Sequence, residues 1–164
     1  MSYYIIIRGP LGCGKSTISE ELSKRINGKH IAMDRIVDNP KLVIREKEEG
    51  YISQKNFIQA NEIACKEVTQ LLKKDRPVIF DGNFYWKSQV EDLISRLDFP
   101  HYVFTLKAPL EVCIKRDSER SKTHGEIAAM VVHKKSTSFN HWILIDVNKP
   151  LEKCIEEIIS YLPK

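Results

Sequence analysis

Five short runs of continuous apolar residues recur along the chain, each about as long as a buried β-strand. They occupy residues 3–7, 31–33, 78–80, 102–106 and 142–145. Apolar runs without alternation are typical of strands that are covered on both faces, as in parallel sheets. Between the runs, apolar side chains recur at helical spacing in residues 18–26, 57–72, 90–97 and 151–162.

Alternating strands and helices predict βαβ units, and therefore a three-layer α/β fold with a parallel sheet between helices. We expect one domain that spans residues 1–164, since a chain of this length can form a single core. Ligands bind such sheets at the carboxyl ends of the strands. The candidates for chemistry are therefore the polar residues that follow the runs, which are Arg8, Asp34, Asp81, Lys107 and Asp146.

A complete phosphate-binding motif follows the first run. Residues 9–16 read GPLGCGKS, which matches G-x-x-x-x-G-K-[ST] between a predicted strand and a predicted helix. In this motif backbone N–H groups converge on phosphate oxygens, the lysine reaches the β- and γ-phosphates, and the hydroxyl residue binds Mg²⁺. We therefore predict a nucleotide site in which Lys15 is also catalytic and Ser16 is also a metal ligand. It comprises Gly9, Pro10, Leu11, Gly12, Cys13, Gly14, Lys15, Ser16 and Thr17.

Two further strings narrow the class of P-loop protein. GTPases usually read guanine with N-K-x-D, and the nearest string, NKPL at residues 148–151, lacks the aspartate. The third run ends in Asp81-Gly82 rather than in an Asp-Glu pair, so the water-activating glutamate of ATPases is missing from its usual position. Both observations favour transfer of a phosphoryl group from ATP.

Three more features accompany the loop: Asp34 follows the second run, Asp81 ends the third, and Arg116 and Arg120 lie four residues apart. With them, most of the chain resembles the small P-loop kinases of the adenylate-kinase-like group. That group includes gluconate and shikimate kinases, chloramphenicol phosphotransferase and the kinase domain of polynucleotide kinase. The resemblance implies a P-loop NTPase fold with a five-stranded parallel sheet and a small lid at about residues 116–134. It also implies ATP and Mg²⁺ as the bound groups.

The resemblance gives each of these residues a role, and each also has a simpler interpretation. Asp34 would orient the acceptor hydroxyl and accept its proton, or would only cap a helix. Asp81 would bind Mg²⁺ directly or through water, or would only form an Asp-Gly turn. Arg116 and Arg120, on one helix face, would close over the phosphates or form a solvated basic face. Asn148 would contact adenine, or would belong to a plain connecting loop.

Acceptor specificity is expected in the loops after the second and third runs and in the lid. The candidates for acceptor contact are Arg35, Asn83 and Tyr85, followed by Asp38, Arg45, Phe84 and Trp86. The two arginines could hold an acidic group. The aromatic residues 84–86 could form a wall for a ring, although such a cluster more often anchors a loop on the core.

We predict an ATP-dependent phosphotransferase acting on a hydroxyl of a small molecule that these motifs do not identify. A polynucleotide 5′-hydroxyl kinase and a nucleoside monophosphate kinase are alternatives with the same chemistry. The net charge of +4 is lower than a dedicated nucleic-acid binder needs, and DGNFY at residues 81–85 replaces the Asp-Gly-x-Pro-Arg string of adenylate kinases. An ATPase switch is the alternative of another class.

The four cysteines, Cys13, Cys65, Cys113 and Cys154, are far apart and predict free thiols. Backbone amides of the phosphate loop could lower the pKa of the Cys13 thiol. The five histidines have no ligand spacing and receive no role. Because we find neither a membrane-spanning run nor a secretion signal, we expect a cytoplasmic protein.

Overall fold

The computed structural model describes residues 1–39, 41–42, 44–120, 124–139 and 141–164. Its strands are β1 (Tyr4–Arg8), β2 (Lys29–Ala32), β3 (Lys47–Glu48), β4 (Tyr51–Ile52), β5 (Val78–Gly82), β6 (His101–Lys107) and β7 (Ile143–Asp146). Five of them form one sheet in the order β2-β5-β1-β6-β7, and every neighbouring pair is parallel. The other two, β3 and β4, form a separate antiparallel hairpin.

The helices fill the intervals between the strands. They are α1 (Lys15–Arg25), α2 (Met33–Val37), α3 (Gln54–Lys73), α4 (Lys87–Arg96), α5 (Leu110–Ser118), α6 (Glu126–Ser136) and α7 (Leu151–Ser160). Within the described ranges, none of them combines the length and apolar content that crossing a bilayer requires. The predicted three-layer α/β fold with a five-stranded parallel sheet is confirmed.

The sheet separates two cores because successive side chains of a strand point to opposite faces. On one face Tyr4 and Ile6 of β1 pack with α3 and α4. On the other face Ile5 and Ile7 pack with α1 and α7. Both faces of β1 are thus buried, which explains why its sequence is continuously apolar.

The lid region differs in part from the sequence prediction. Helix α5 ends at Ser118, so Arg120 lies beyond its last turn, and the prediction that Arg116 and Arg120 share one helix face was wrong. Helix α6 occupies most of the rest of the predicted lid, while residues 121–123 lie outside the described residues. The hairpin, α2 and α6 were not anticipated.

One buried charge ties α6 to the sheet. The side chain of Arg8, at the end of β1, is fully buried. Its Nε donates to Phe84 O at 3.2 Å, Nη1 to Thr105 Oγ1 at 3.0 Å and Nη2 to Ser136 O at 2.8 Å. No carboxylate in the described part of the chain pairs with it, but the Ser136 carbonyl lies at the negative end of the α6 dipole. Burial lowers the pKa of Arg8 to about 10, so it stays charged at neutral pH.

We expect Arg8→Ala to lower the free energy of unfolding by about 3 kcal/mol, because it leaves three buried acceptors unpaired and opens a cavity. Arg35→Ala is the matched control, since Arg35 is exposed and its loss should change stability by less than about 0.5 kcal/mol. Urea unfolding followed by circular dichroism measures both variants. Equal midpoints for the two would contradict the role given to Arg8.

Candidate active site

The phosphate loop connects β1 to α1 and is shaped by two glycines. Gly12 and Gly14 have φ angles of 75° and 87°, which favour glycine. Gly14 is the N-cap of α1 and provides no side-chain capping bond. The first N–H groups of α1 therefore remain available for an anion, as in other helix N-termini that bind phosphate.

The loop also packs closely against the backbone of α5. A Cβ atom at Gly12 would lie 2.2 Å from the carbonyl oxygen of Cys113, a distance that real structures do not tolerate. Gly12 thus lets the loop approach α5, the helix that contains Arg116 and precedes Arg120. The path of the loop and the position of α5 depend on this contact.

Lys15 is buried and folds back on its own loop. Its Nζ donates to Pro10 O at 2.8 Å and lies 4.0 Å from Cys13 Sγ. Burial raises the pKa of the Cys13 thiol, and the nearby Lys15 charge and loop amides offset this effect only partly. The expectation of a lowered thiol pKa was wrong, because the side chain lies under the loop. All four cysteines are free, as predicted.

A cavity of about 330 Å³ opens on one side of the loop. Its lining brings together Gly12, Cys13, Gly14 and Thr17 of the predicted nucleotide site with Arg116 and Arg120. Val147 and Lys149, after β7, also line this cavity, whereas Asn148 between them is exposed and is not part of the lining.

The two arginines are held differently. Arg116 Nη2 donates to Val147 O at 3.2 Å, which joins α5 to the loop after β7. Arg120 lies 3.7 Å from the buried carboxylate of Asp117, and about half of its side chain is exposed. The same carboxylate accepts from the backbone N–H of His124 at 3.1 Å. Asp117 therefore connects the end of α5 to the chain that leads into α6.

A second cavity, of about 410 Å³, lies on the other side of the loop. Asp34, Asn83 and Tyr85 line it, as their positions after β2 and β5 predict, and Asp38 lies at the same wall. Arg35 is exposed and does not line it. Arg45 lines an adjoining groove instead.

Asp34 lies in the first turn of α2, and Ala32 is the N-cap, so Asp34 does not cap the helix. Asp34 Oδ1 accepts from the backbone N–H of Asn83 at 3.4 Å. Burial raises the pKa of the Asp34 carboxyl, and the charges of Asp81 and Asp38 raise it further. Lys15 and the Asn83 N–H act in the opposite direction without cancelling the rise.

The aromatic residues 84–86 divide between core and cavity. Phe84 is fully buried beneath the site. The Tyr85 hydroxyl oxygen accepts from the Ile52 N–H at 3.1 Å, and Trp86 Nε1 donates to Ile52 O at 2.8 Å. These bonds hold the β3–β4 hairpin against the loop after β5. Only Tyr85 of the three lines the cavity.

Asp81, at the end of β5, is buried, and its Oδ2 contacts Nε2 of His30. Sequence reasoning gave His30 no role. In the register of the sheet His30 pairs with Ile79 and Ala32 pairs with Asp81. His30 and Asp81 therefore share one face, and the small Ala32 leaves room for their contact. The contact between His30 and Asp81 follows from the register of β2 against β5 and not from the spacing of the histidines in the sequence.

The donor set at Asp81 fits magnesium better than a transition metal. Across the described residues, no group of three or more His, Cys, Asp or Glu side chains could hold a metal ion alone. Mg²⁺ typically binds through one or two protein oxygens together with phosphates and waters. The Ser16 hydroxyl and the Asp81 carboxylate offer oxygens of this kind.

Comparison with known proteins assigns the family. Residues 5–138 match the model of a family described as an AAA domain. The chain belongs to this AAA-domain family. No curated protein matches the sequence.

Two solved structures share the fold of this AAA-domain protein. A gluconokinase from Sinorhizobium meliloti 1021 is 17% identical, with a TM-score of 0.73 over 96% of this chain and 89% of that one. A sugar kinase from Janibacter sp. HTCC2649 is 14% identical, with a TM-score of 0.80 over 98% of this chain and 94% of that one. The predicted resemblance to small P-loop kinases is confirmed at the level of the fold.

We expect Gly12→Ala in this AAA-domain protein to weaken nucleotide binding at least about tenfold, because the new methyl group forces the loop away from α5. Gly50→Ala is the control: Gly50 has a similar φ of 82°, but nothing lies within 4 Å of a Cβ atom there. It should cost only about 1 kcal/mol of stability through backbone strain. Titration with a fluorescent ATP analogue tests both variants, and equal affinities would refute the role of the close approach.

Proposed function

We propose that this chain transfers the γ-phosphoryl group of ATP to a hydroxyl group of a small acceptor. One observation carries the proposal: neighbouring residues of the phosphate loop face different cavities. Gly12 lines the cavity that holds the two arginines, and Leu11 lines the cavity that holds Asp34. Phosphates bound on the loop would therefore lie between a nucleotide site and an acceptor site, as phosphoryl transfer requires.

The nucleotide side offers positive charge and backbone donors. Lys15 would exchange the Pro10 carbonyl for β- and γ-phosphate oxygens. Arg116 and Arg120 line the same cavity and would stabilise charge on the transferring group. The loop that contains Val147 would lie along the base. Val147 and Lys149 line the cavity beside the two arginines and Asn148 does not, which favours the first two as contacts to the base.

Ser16 and Asp81 would hold Mg²⁺, which supplies charge neutralisation between the phosphates when it is bound. Because His30 already contacts one oxygen of Asp81, that carboxylate is oriented before any ligand arrives. Its other oxygen remains for the ion or for one of its waters.

Asp34 would orient the acceptor hydroxyl and accept its proton. Phosphoryl transfer depends on position more than on a strong base. The Asn83 N–H fixes the direction of this carboxylate, and its raised pKa makes it a better proton acceptor than an exposed aspartate.

The charges around Asp34 favour a small hydroxyl acceptor over the acceptors of the alternative kinases. A nucleoside monophosphate kinase or a polynucleotide kinase needs cations for phosphates on the acceptor side. The cavity has two carboxylates, Asp34 and Asp38, against one lysine, Lys47, and one histidine, His124, and no arginine lines it among the described residues. A simple ATPase switch would not need a cavity of about 410 Å³ beside the loop.

We expect Asp34→Asn to slow transfer at least about a hundredfold, the low end for loss of a general base, and to leave nucleotide affinity nearly unchanged. The assay follows labelled γ-phosphate from ATP–Mg²⁺ into sugars, polyol acids, nucleosides, nucleoside monophosphates and 5′-hydroxyl oligonucleotides. Asp98→Asn, on the exposed surface, is the control and should match the parent. Lys15→Ala should abolish transfer. Label released only as free phosphate, equally in parent and Asp34→Asn, would refute the proposal.

The pH profile gives an independent test. A base must be ionised, so kcat/KM should fall as pH drops through the pKa of Asp34 in the free enzyme. Because burial raises this pKa, the midpoint of the acidic limb should lie at a pH above about 3.9, the usual pKa of an aspartate. The limb should disappear in Asp34→Asn. An identical limb in that variant would assign it to another group.

A further inference from the structure

The cavity beside Asp34 is walled mainly by apolar and aromatic side chains. One wall comes from the hairpin, α3 and the loop after β5, and the other comes from α6. They contribute Tyr51, Phe57 and Tyr85 on one side and Ala128, Val131 and Val132 on the other. An apolar cavity of about 150 Å³ already holds a benzene ring. This space of about 410 Å³ can therefore accept a ring together with its substituents.

Contacts of Lys135 and His133 hold α6 so that its apolar side chains face the cavity. Lys135 Nζ lies 3.8 Å from the centre of the Trp86 ring and 3.5 Å from Glu49 Oε2. His133 Nε2 lies 3.0 Å from Ala108 O. Val131, one turn before Lys135, is 42% exposed and faces the cavity. A polyhydroxylated ligand would leave this surface without polar partners, whereas an apolar group would remove it from water.

The charges in the cavity oppose an anionic ligand. Asp34 and Asp38 stand against Lys47, the ionisable ring of His124 lines the same space, and no arginine occurs among the described lining residues. No hydrogen bond or ion pair is seen between the Asp38 side chain and another described residue, and the cationic residues that line the same space are Lys47 and, in the adjoining groove, Arg45. A carboxylate or phosphate placed beside it would be repelled.

Tyr85 adds one polar contact inside the apolar walls. Burial raises the pKa of its hydroxyl to about 12, so it stays protonated at neutral pH. Its oxygen accepts from the Ile52 N–H, which leaves its own proton for a ligand oxygen. The cavity thus offers the Tyr85 phenol and the Asp34 carboxylate, beside Asn83 and His124, within largely apolar walls.

From these observations we infer that the cavity beside Asp34 selects alcohols that carry an apolar or aromatic body and no negative charge. The inference rests on the proposed function, because it describes the acceptor of that reaction. In the transfer step the acceptor oxygen forms a bond to the γ-phosphorus while the bond from the γ-phosphorus to the β–γ bridging oxygen breaks. ADP leaves with that electron pair, and the hydroxyl proton passes to Asp34 and then to solvent.

The first experiment measures binding without turnover. Calorimetric titration of the protein with ADP–Mg²⁺ bound compares phenylpropanol, its para-carboxylate derivative and gluconate. Phenylpropanol should bind at least about tenfold more tightly than either anion, because repulsion by Asp38 and loss of apolar contact oppose them. Equal or tighter binding of the carboxylate or of gluconate would overturn the inference.

Two variants locate the selectivity. Val131→Asp should weaken phenylpropanol binding at least about tenfold. Ile127→Asp introduces the same charge on the same helix at a position that is 79% exposed and outside the cavity lining, and it should change nothing. Asp38→Lys should reverse the preference between phenylpropanol and its carboxylate. Equal effects of the two α6 variants, or an unchanged preference in Asp38→Lys, would contradict the inference.

A transfer assay with the same compounds separates this inference from the proposed function. Selective binding of phenylpropanol with release of free phosphate only would support the inference and overturn the proposed transfer. Label on gluconate, on a nucleoside monophosphate or on an oligonucleotide would support transfer and overturn the inference. Label on phenylpropanol, lost in Val131→Asp and kept in Ile127→Asp, would support both.

Discussion

The guanidinium of Arg8 is withdrawn from water where the sheet meets the phosphate loop, and it must keep all of its hydrogen bonds there. Its partners belong to the loop after β5, to β6 and to the last residue of α6. A buried cation without a carboxylate is costly unless each donor is satisfied. Arg8 is therefore one of the contacts that set the position of α6, together with Lys135 and His133. It bonds to both walls of the cavity beside Asp34, since Phe84 precedes Tyr85 and Ser136 ends α6.

Much of the fold could be predicted because its constraints are local. Strand β1 is buried at every position, which requires apolar side chains along it. Each of the five runs overlaps a strand whose ends differ from it by at most two residues, although the edge strands β2 and β7 are only partly buried. The phosphate loop was recognisable because a chain that curls around phosphates requires glycine at fixed positions. The rule that ligands bind at the carboxyl ends of parallel strands brought Asp34, Asn83 and Tyr85 to one cavity.

The remaining features depend on contacts between distant parts of the chain. His30 reaches Asp81 through the register of β2 against β5, and no spacing in the sequence encodes that register. The pKa of Cys13 depends on how deeply the loop packs, which the motif does not specify. Strands of two residues, such as β3 and β4, are too short to leave a periodic pattern. Arg120 was assigned to a helix because four-residue spacing does not reveal where a helix ends.

Leu11 and Gly12 are neighbours in the phosphate loop but line different cavities. This separation affects which substitutions the fold can accept. The two cavities have no lining residue in common among those described. The walls of the cavity beside Asp34 come largely from α6 and the β3–β4 hairpin, outside the central sheet. Substitutions of the residues that face this cavity can change its shape and charge without replacing a residue that lines the cavity beside the two arginines. One cavity can therefore be varied while the phosphate loop stays unchanged. A combinatorial library confined to the residues of α6 and of the hairpin that line this cavity would test how far it can be varied.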